Sequence, residues 1–247
     1  MAITFVGGYA ASDGGSGNTT DPATMVLPTH QSGDVGYLFA GHTISGTSYS
    51  AFVAVSGWTS LGTVEWTAGS DGQVELWRRV FTSSSETNPV VNTDVSGRKS
   101  ASVLVFRGVD NTTPEDVTVV GANQSNLTNS TNGAITPTTN NGGLVLFQYH
   151  LGAASSQLAT LGAPTTPTGL TLLSSGSGSL VAGANHRDLA AAYKLDYGTA
   201  STITPTAWTH TVVGSPSNED EAETGAFTIA LRPATATAKP HYYYAQL

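Results

Sequence analysis

Apolar and polar residues alternate with a period of two through short stretches of this chain. Val64 and Trp66 alternate with Glu65 and Thr67, and Phe227, Ile229 and Leu231 with Thr228, Ala230 and Arg232, up to Pro233, which cannot donate to a ladder. Val35–Ala40, Ser102–Phe106 and Leu144–Tyr149 are apolar at odd and even positions alike, which predicts central strands covered on both faces. Leu189–Lys194 is the one stretch with helical character, and it is short enough to fit a strand equally well. Punctuation between the segments is that of hairpins and loops: Asp71-Gly72, Asn132-Gly133, the run from Asn140 to Gly143, and Ser174 to Gly178. The pattern predicts an all-β protein, a two-sheet antiparallel β-sandwich, jelly-roll-like, of about 8–10 strands.

The two halves echo each other. Gly33–Gly41 resembles Gly142–Tyr149, Gly57–Gly62 resembles Gly169–Leu173, Leu76–Arg79 resembles Ala192–Lys194, and Ala101–Gly108 resembles Ala226–Pro233. The offset drifts from 109 to 125 residues, and β-rich segments match one another cheaply, so half-repeats over 25–110 and 135–233 and chance similarity both fit. Residues 1–24 read as an N-terminal strand followed by a flexible Gly/Ser/Asn/Thr loop from residue 10, and 25–233 as the sandwich domain. Residues 234–247 read as an extended Pro/Ala/Thr linker ending in a Tyr-rich arm.

Composition sharpens this picture. Charged residues make up 11 % of the chain and apolar ones 39 %, too apolar for disorder, with Ser, Thr, Asn and 28 Gly in place of the missing charge. Those residues suit turns and solvated strand faces and are poor in helix interiors. Net charge is −8 with nine Lys and Arg, nowhere clustered, so nucleic acid is not an expected partner. No apolar run approaches the roughly 20 residues that span a bilayer, and the N-terminus lacks the basic and apolar regions of a secretory signal, so neither membrane nor secretion is expected. Without Cys there are no disulfides and no thiolate metal sites.

Candidate chemistry is thin. His186-Arg187-Asp188-Leu189 matches the start of a kinase catalytic loop, but Tyr193 stands where that loop needs Asn, and no phosphate loop or Asp-Phe-Gly accompanies it. No Gly-x-Ser-x-Gly elbow, Walker A loop or His-Glu-x-x-His occurs, and His30, His42, His150, His186, His210 and His241 have no metal-ligand spacing. The acidic run from Asn218 to Glu223 lacks the alternation and Gly of a calcium loop and reads as a solvated loop, though its 219–223 oxygens could hold a cation. The expectation is a non-enzymatic protein with no cofactor and no metal.

Aromatic residues carry the more pointed signals. Trp58, Trp66 and Trp208 fall in or beside strands; the ordinary place for them is the core, and the alternative is an exposed platform that stacks on sugar rings. Tyr242, Tyr243 and Tyr244 cannot all enter one core, because alternation exposes at least one. With Leu247 they read as a partner-docking arm, or else as a folded-back edge strand.

Gly33-Asp34-Val35-Gly36-Tyr37-Leu38-Phe39 follows Pro28, and then come Gly57-Trp58-Thr59, Leu76-Trp77-Arg78-Arg79-Val80, and Ser100 to Asp110 with Pro114 following. This order of strand motifs resembles β-sandwich modules of tailed-bacteriophage virion proteins. The second half continues with an apolar strand at 142–147 and a last one at Gly225–Arg232, so the likeness covers most of 25–233 and leaves the arm outside. The resemblance implies a head-decoration, minor-tail or tail-fibre protein, assembled in host cytoplasm and residing in the virion. Its partners would be other capsid or tail subunits, in a homotrimer or another symmetric homo-oligomer. A glycan-binding receptor-recognition module is the alternative it leaves open.

Overall fold

The computed structural model describes residues 1–12, 23–43, 51–66, 72–93, 98–124, 130–151, 157–173, 181–182, 187–213 and 223–235. Among them run fifteen strands: β1 Thr4–Ser12, β2 Ala23–Thr24, β3 Val35–Thr43, β4 Thr59–Trp66, β5 Gly72–Val80, β6 Val90–Val91, β7 Arg98–Arg107, β8 Val120–Gln124, β9 Gly143–Leu151, β10 Gln157–Gly162, β11 Thr171–Leu172, β12 Val181–Ala182, β13 Arg187–Lys194, β14 Thr209–Val213 and β15 Glu223–Leu231. All pairings between them are antiparallel.

Two principal sheets face each other. The first has the order β1-β7-β3-β5-β4; the second runs β8-β15-β9-β13, with β11 and β12 sharing the far side of β13. Reading each sheet in chain order, β1, β3, β4, β5 and β7 occupy the same places as β8, β9, β11/β12, β13 and β15. The four sequence pairings noted above fall on these topologically equivalent strands. Each sheet is therefore built from one half of the chain, whereas a jelly-roll winding passes repeatedly from sheet to sheet. Facing contacts repeat about the same pseudo-twofold: β3 lies on β9, β5 on β15 and β7 on β13, while β4 runs beside β8 and β1 beside β12.

Alternation explains the layers. Val35, Tyr37 and Phe39 of β3, and Val145, Phe147 and Tyr149 of β9, point between the sheets and meet Leu104, Phe106, Phe227, Ile229 and Leu231. Phe39 stacks on Phe147 at 5.1 Å, and Trp66 on Tyr149 at 6.0 Å. The opposite faces are buried too. Leu38, Ala40, Trp77, Val103 and Val105 pack under a cover formed by Met25, Phe52, Val55, Trp58 and Phe81. Leu144, Leu146, Ala192 and Ala230 pack under Ile135, Ile203 and Trp208. Thr228, which alternation alone assigns to a polar outer face, is fully buried by that second cover.

Three local findings amend the reading from sequence. Ala10, Ala11 and Ser12 extend β1, and Ala23–Thr24 pair with Val90–Val91, so strand reaches further into 1–24 than a loop starting at residue 10 allows. Leu189–Lys194 is strand, the centre of β13. Asn132, whose Gly neighbour reads as a turn signal, is buried. Its Nδ2 donates to the carbonyls of Phe147 (3.1 Å) and Phe227 (2.8 Å), and Oδ1 accepts from Trp208 Nε1 at 2.7 Å.

Candidate functional site

The two ends of the sandwich differ in kind. One end gathers ion pairs. Arg107 and Asp34 form a bidentate pair, 2.8 Å for each bond, with Asp34 wholly buried and also accepting from Gln31 N at 2.9 Å. Asp34 immediately precedes β3 and Arg107 ends β7, so the pair ties the neighbouring strand ends together. Arg78 Nη1 meets Glu115 Oε2 at 2.6 Å, and Tyr37 donates its hydroxyl to Glu115 Oε1 at 2.8 Å. Burial raises the Tyr37 phenol well above its usual value of 10.0, and the Glu115 charge adds to the effect. Asp116 is encircled by the amides and hydroxyls of Thr138 and Thr139, with Arg232 at 3.3 Å. Burial opposes its charge, but the threonine hydrogen bonds outweigh burial and hold its pKa below 3.8. Tyr197, donating to Thr139 O at 2.7 Å, is pushed up to about 12 by burial and then by the Asp116 charge.

Here the two halves also join. Val109 bridges Pro233; Asp110 N donates to Arg232 O at 2.9 Å, and Ala234 N to Gly108 O at 2.8 Å. Ile3, leading into β1, is in the core beside them. An open groove of about 710 Å³ lies at this end, its lining including Ile3, Asn140, Leu195, Asp196, Pro233 and Thr235.

These carboxylates are braces. Each is pinned in place by cations or hydrogen-bond donors from a neighbouring strand or loop. Glu86 is similar: backbone N–H groups of Thr82 and Ser83 and the Arg79 guanidinium surround it and lower its pKa. Among the described residues no group of three His, Asp or Glu could hold a metal ion, and no helix is long and apolar enough to cross a membrane.

Strand registers identify the opposite end. Ser12 pairs Ser100, Thr43 pairs Arg98 and Gly72, Leu151 pairs Arg187 and Glu223, and Gln124 pairs Thr224. Asn123 Nδ2 reaches Glu65 O at 2.9 Å and ties the two sheets there. By the same registers Arg98, Arg187 and Glu223 stand at strand ends there.

The residues singled out from sequence divide sharply. Trp58, Trp66 and Trp208 are buried, at 9 %, 6 % and 1 % exposure, and so form no platform for a sugar ring. Trp66 lies between the sheets against Gly72 and Gly225, where an added Cβ would come within 2.2 and 2.9 Å of its ring. Trp58 packs edge-on to Phe81, and Trp208 is spent on Asn132. The Trp reading as glycan stackers is corrected accordingly. Arg187, Asp188 and Leu189 open β13 and belong to a ladder, not a catalytic loop. Tyr242, Tyr243, Tyr244 and Leu247 lie outside the described residues, as do 219–222 of the acidic run. Missed from sequence were the pairs Asp34–Arg107 and Arg78–Glu115. The Asp before β3 and the Arg after Phe106 were visible, but nothing local says that they meet. His42 and His150 also occupy equivalent places in the two sheets, beside Gln73 and Lys99 and beside Asp188 and Thr224.

Comparison with family models, with curated proteins and with solved structures finds no match to this chain. The fold defines the class: an all-β, antiparallel two-sheet sandwich.

Proposed function

We propose that this chain is a non-enzymatic structural protein of a virus particle, a sandwich that decorates or cements a bacteriophage capsid or tail through subunit contacts at its ion-paired end. The observation that carries this reading is the braced end itself, where Asp34–Arg107, Arg78–Glu115 and Asp116–Arg232 stand beside the groove that Ile3 and Thr235 line. Charges already paired cost less to cover than free ones, so this is the end suited to packing against subunits. Burial on both faces of the interior strands β3, β7 and β9 gives a body stiff enough to build with. The order of strand motifs, which resembles that of tailed-phage modules, supports the choice of a virion over other assemblies. Density-banded particles from cells producing the virus that encodes this chain should contain it in stoichiometric amount. Particles that are complete without it overturn the reading.

A further inference from the structure

We propose that the outer surface of the cover on the first sheet, centred on Val90, is where a second copy of this chain docks, patch against patch across a twofold axis. The proposal goes beyond the braced-end reading and does not depend on it, because it concerns a flank of the sandwich and is tested in free solution.

Among the described residues five large apolar side chains are exposed, and three of them stand together: Val26 (48 %), Val53 (45 %) and Val90 (45 %). Backbone pairing brings them into one row. Thr24 lies opposite Val90 in the β2–β6 pair, and Met25 N donates to Pro89 O at 2.9 Å, so Val26 comes diagonally next to Val90. On the other side of β6, Phe52 bridges Thr93 and Val53 N donates to Asn92 O at 2.8 Å. Alternation sorts the faces: Ala23, Met25, Phe52 and Val91 turn inward onto the sheet, and Val26, Val53 and Val90 turn out.

The second half of the chain supplies a control. Ile135 pairs with Ile203 through two backbone hydrogen bonds, of 3.0 and 2.8 Å, and both are buried in the second cover as Met25 and Pro89 are in the first. The residues that follow these anchors are Val26 and Val90 in the first half and Thr136 and Thr204 in the second, all four exposed. Threonine has the shape of valine with a hydroxyl in place of one methyl, and Thr136 Oγ1 meets Thr202 Oγ1 at 2.9 Å. The same ladder therefore forms with either residue, and only the first half puts apolar surface in water. A contiguous apolar row that the fold does not require marks an interaction surface.

Charge selects the partner. The segments that make this face, 23–31, 51–60 and 87–93, contain no Asp, Glu, Lys or Arg, in a chain with 17 acidic and nine basic residues. Arg79, beside Gly57 at the margin, is paired with Glu86. A strongly charged partner finds nothing here to pair with, whereas two copies at net charge −8 repel except where the facing surfaces are uncharged. Set against itself across a twofold, the face matches valine with valine, and Thr24, Asn88 and Asn92 offer donors and acceptors beside them. The row is small beside the surfaces of permanent dimers, so the pair forms and dissociates with concentration.

Sedimentation of the full-length chain across the micromolar to millimolar range should show a monomer–dimer equilibrium. Val26→Thr with Val90→Thr, which copies the residues of the second half, should weaken dimerisation at least tenfold with the urea midpoint of unfolding unchanged. Val90→Lys and Val90→Glu should each be monomeric alone, and their equimolar mixture should dimerise again as one chain of each kind. A wild-type chain that stays monomeric throughout the range, or an oligomer indifferent to these substitutions, would overturn the proposal. So would a mixture of the Val90→Lys and Val90→Glu chains no more associated than either alone, since the two patches would then not face each other.

Discussion

Arg107 holds Asp34 through two hydrogen bonds of 2.8 Å, Nε to Oδ1 and Nη2 to Oδ2. Asp34 is fully buried and Arg107 is 44 % exposed, so the cation stays partly hydrated while the anion depends on it. Removing the partner strands a buried carboxylate, which outweighs the modest value of the intact pair. Arg107→Ala should therefore lower the urea midpoint of unfolding, because Asp34 is left buried without its partner, although water reaches the arginine. Arg107→Ala with Asp34→Asn should recover part of that loss.

Asp116 makes stability depend on acid. Its folded pKa lies below the ordinary 3.8, so its contribution is fully present above that value and is lost as pH falls through the folded pKa. Glu86 and Asp110, also lowered, act in the same direction, while Glu75, raised by burial, acts in the opposite one. Unfolding midpoints should fall steadily from about pH 5 downward. Asp116→Asn should make that decline shallower while lowering stability at pH 7.

The Asn132–Trp208 hydrogen bond is testable by a double-mutant cycle. Asn132→Ala leaves Trp208 Nε1 buried without its acceptor and should cost about 2 kcal/mol. Trp208→Phe removes the donor, and the cycle should return a coupling of about 1 kcal/mol in thermal or urea unfolding. Coupling near zero would mean that the indole does not use Asn132.

Two glycines separate steric from backbone strain. A Cβ on Gly41 would lie 2.2 Å from the Tyr149 ring, while one on Gly169 meets nothing within 4 Å but would have to hold φ at +79°. Gly169→Ala should cost about 1 kcal/mol, the price of a left-handed alanine. Gly41→Ala should cost more than about 2 kcal/mol and be partly rescued by Tyr149→Leu. Equal costs at the two sites would contradict the close packing of β3 on β9.

Much of this fold was legible in the sequence because burial on both faces leaves a mark. Val35–Ala40, Ser102–Phe106 and Leu144–Tyr149 are uninterrupted apolar runs, and each lies in an interior strand of its sheet. The echo between Gly33 and Gly142 falls on strands that hold the same place in their sheets, but its alignment sets Val35, which points between the sheets, against Leu144, which points to the outer face. Less legible were long-range polar contacts: Asp34 and Arg107 stand 73 residues apart and Asn132 and Trp208 76, and only the fold brings them together. The two-residue strands β2, β6, β11 and β12 are too short for periodicity to register. Trp58, Trp66 and Trp208 needed burial to settle their role, since a tryptophan in a strand has the same pattern on either face.

The central claim, that this sandwich builds a particle through its braced end, is tested most directly by a three-dimensional reconstruction of a particle containing the chain. The account predicts the Asp34–Arg107 end and Thr235 turned toward neighbouring subunits, with the opposite end, at Thr43 and Leu151, facing solvent. A particle in which that opposite end is buried against subunits and the braced end is free would contradict it.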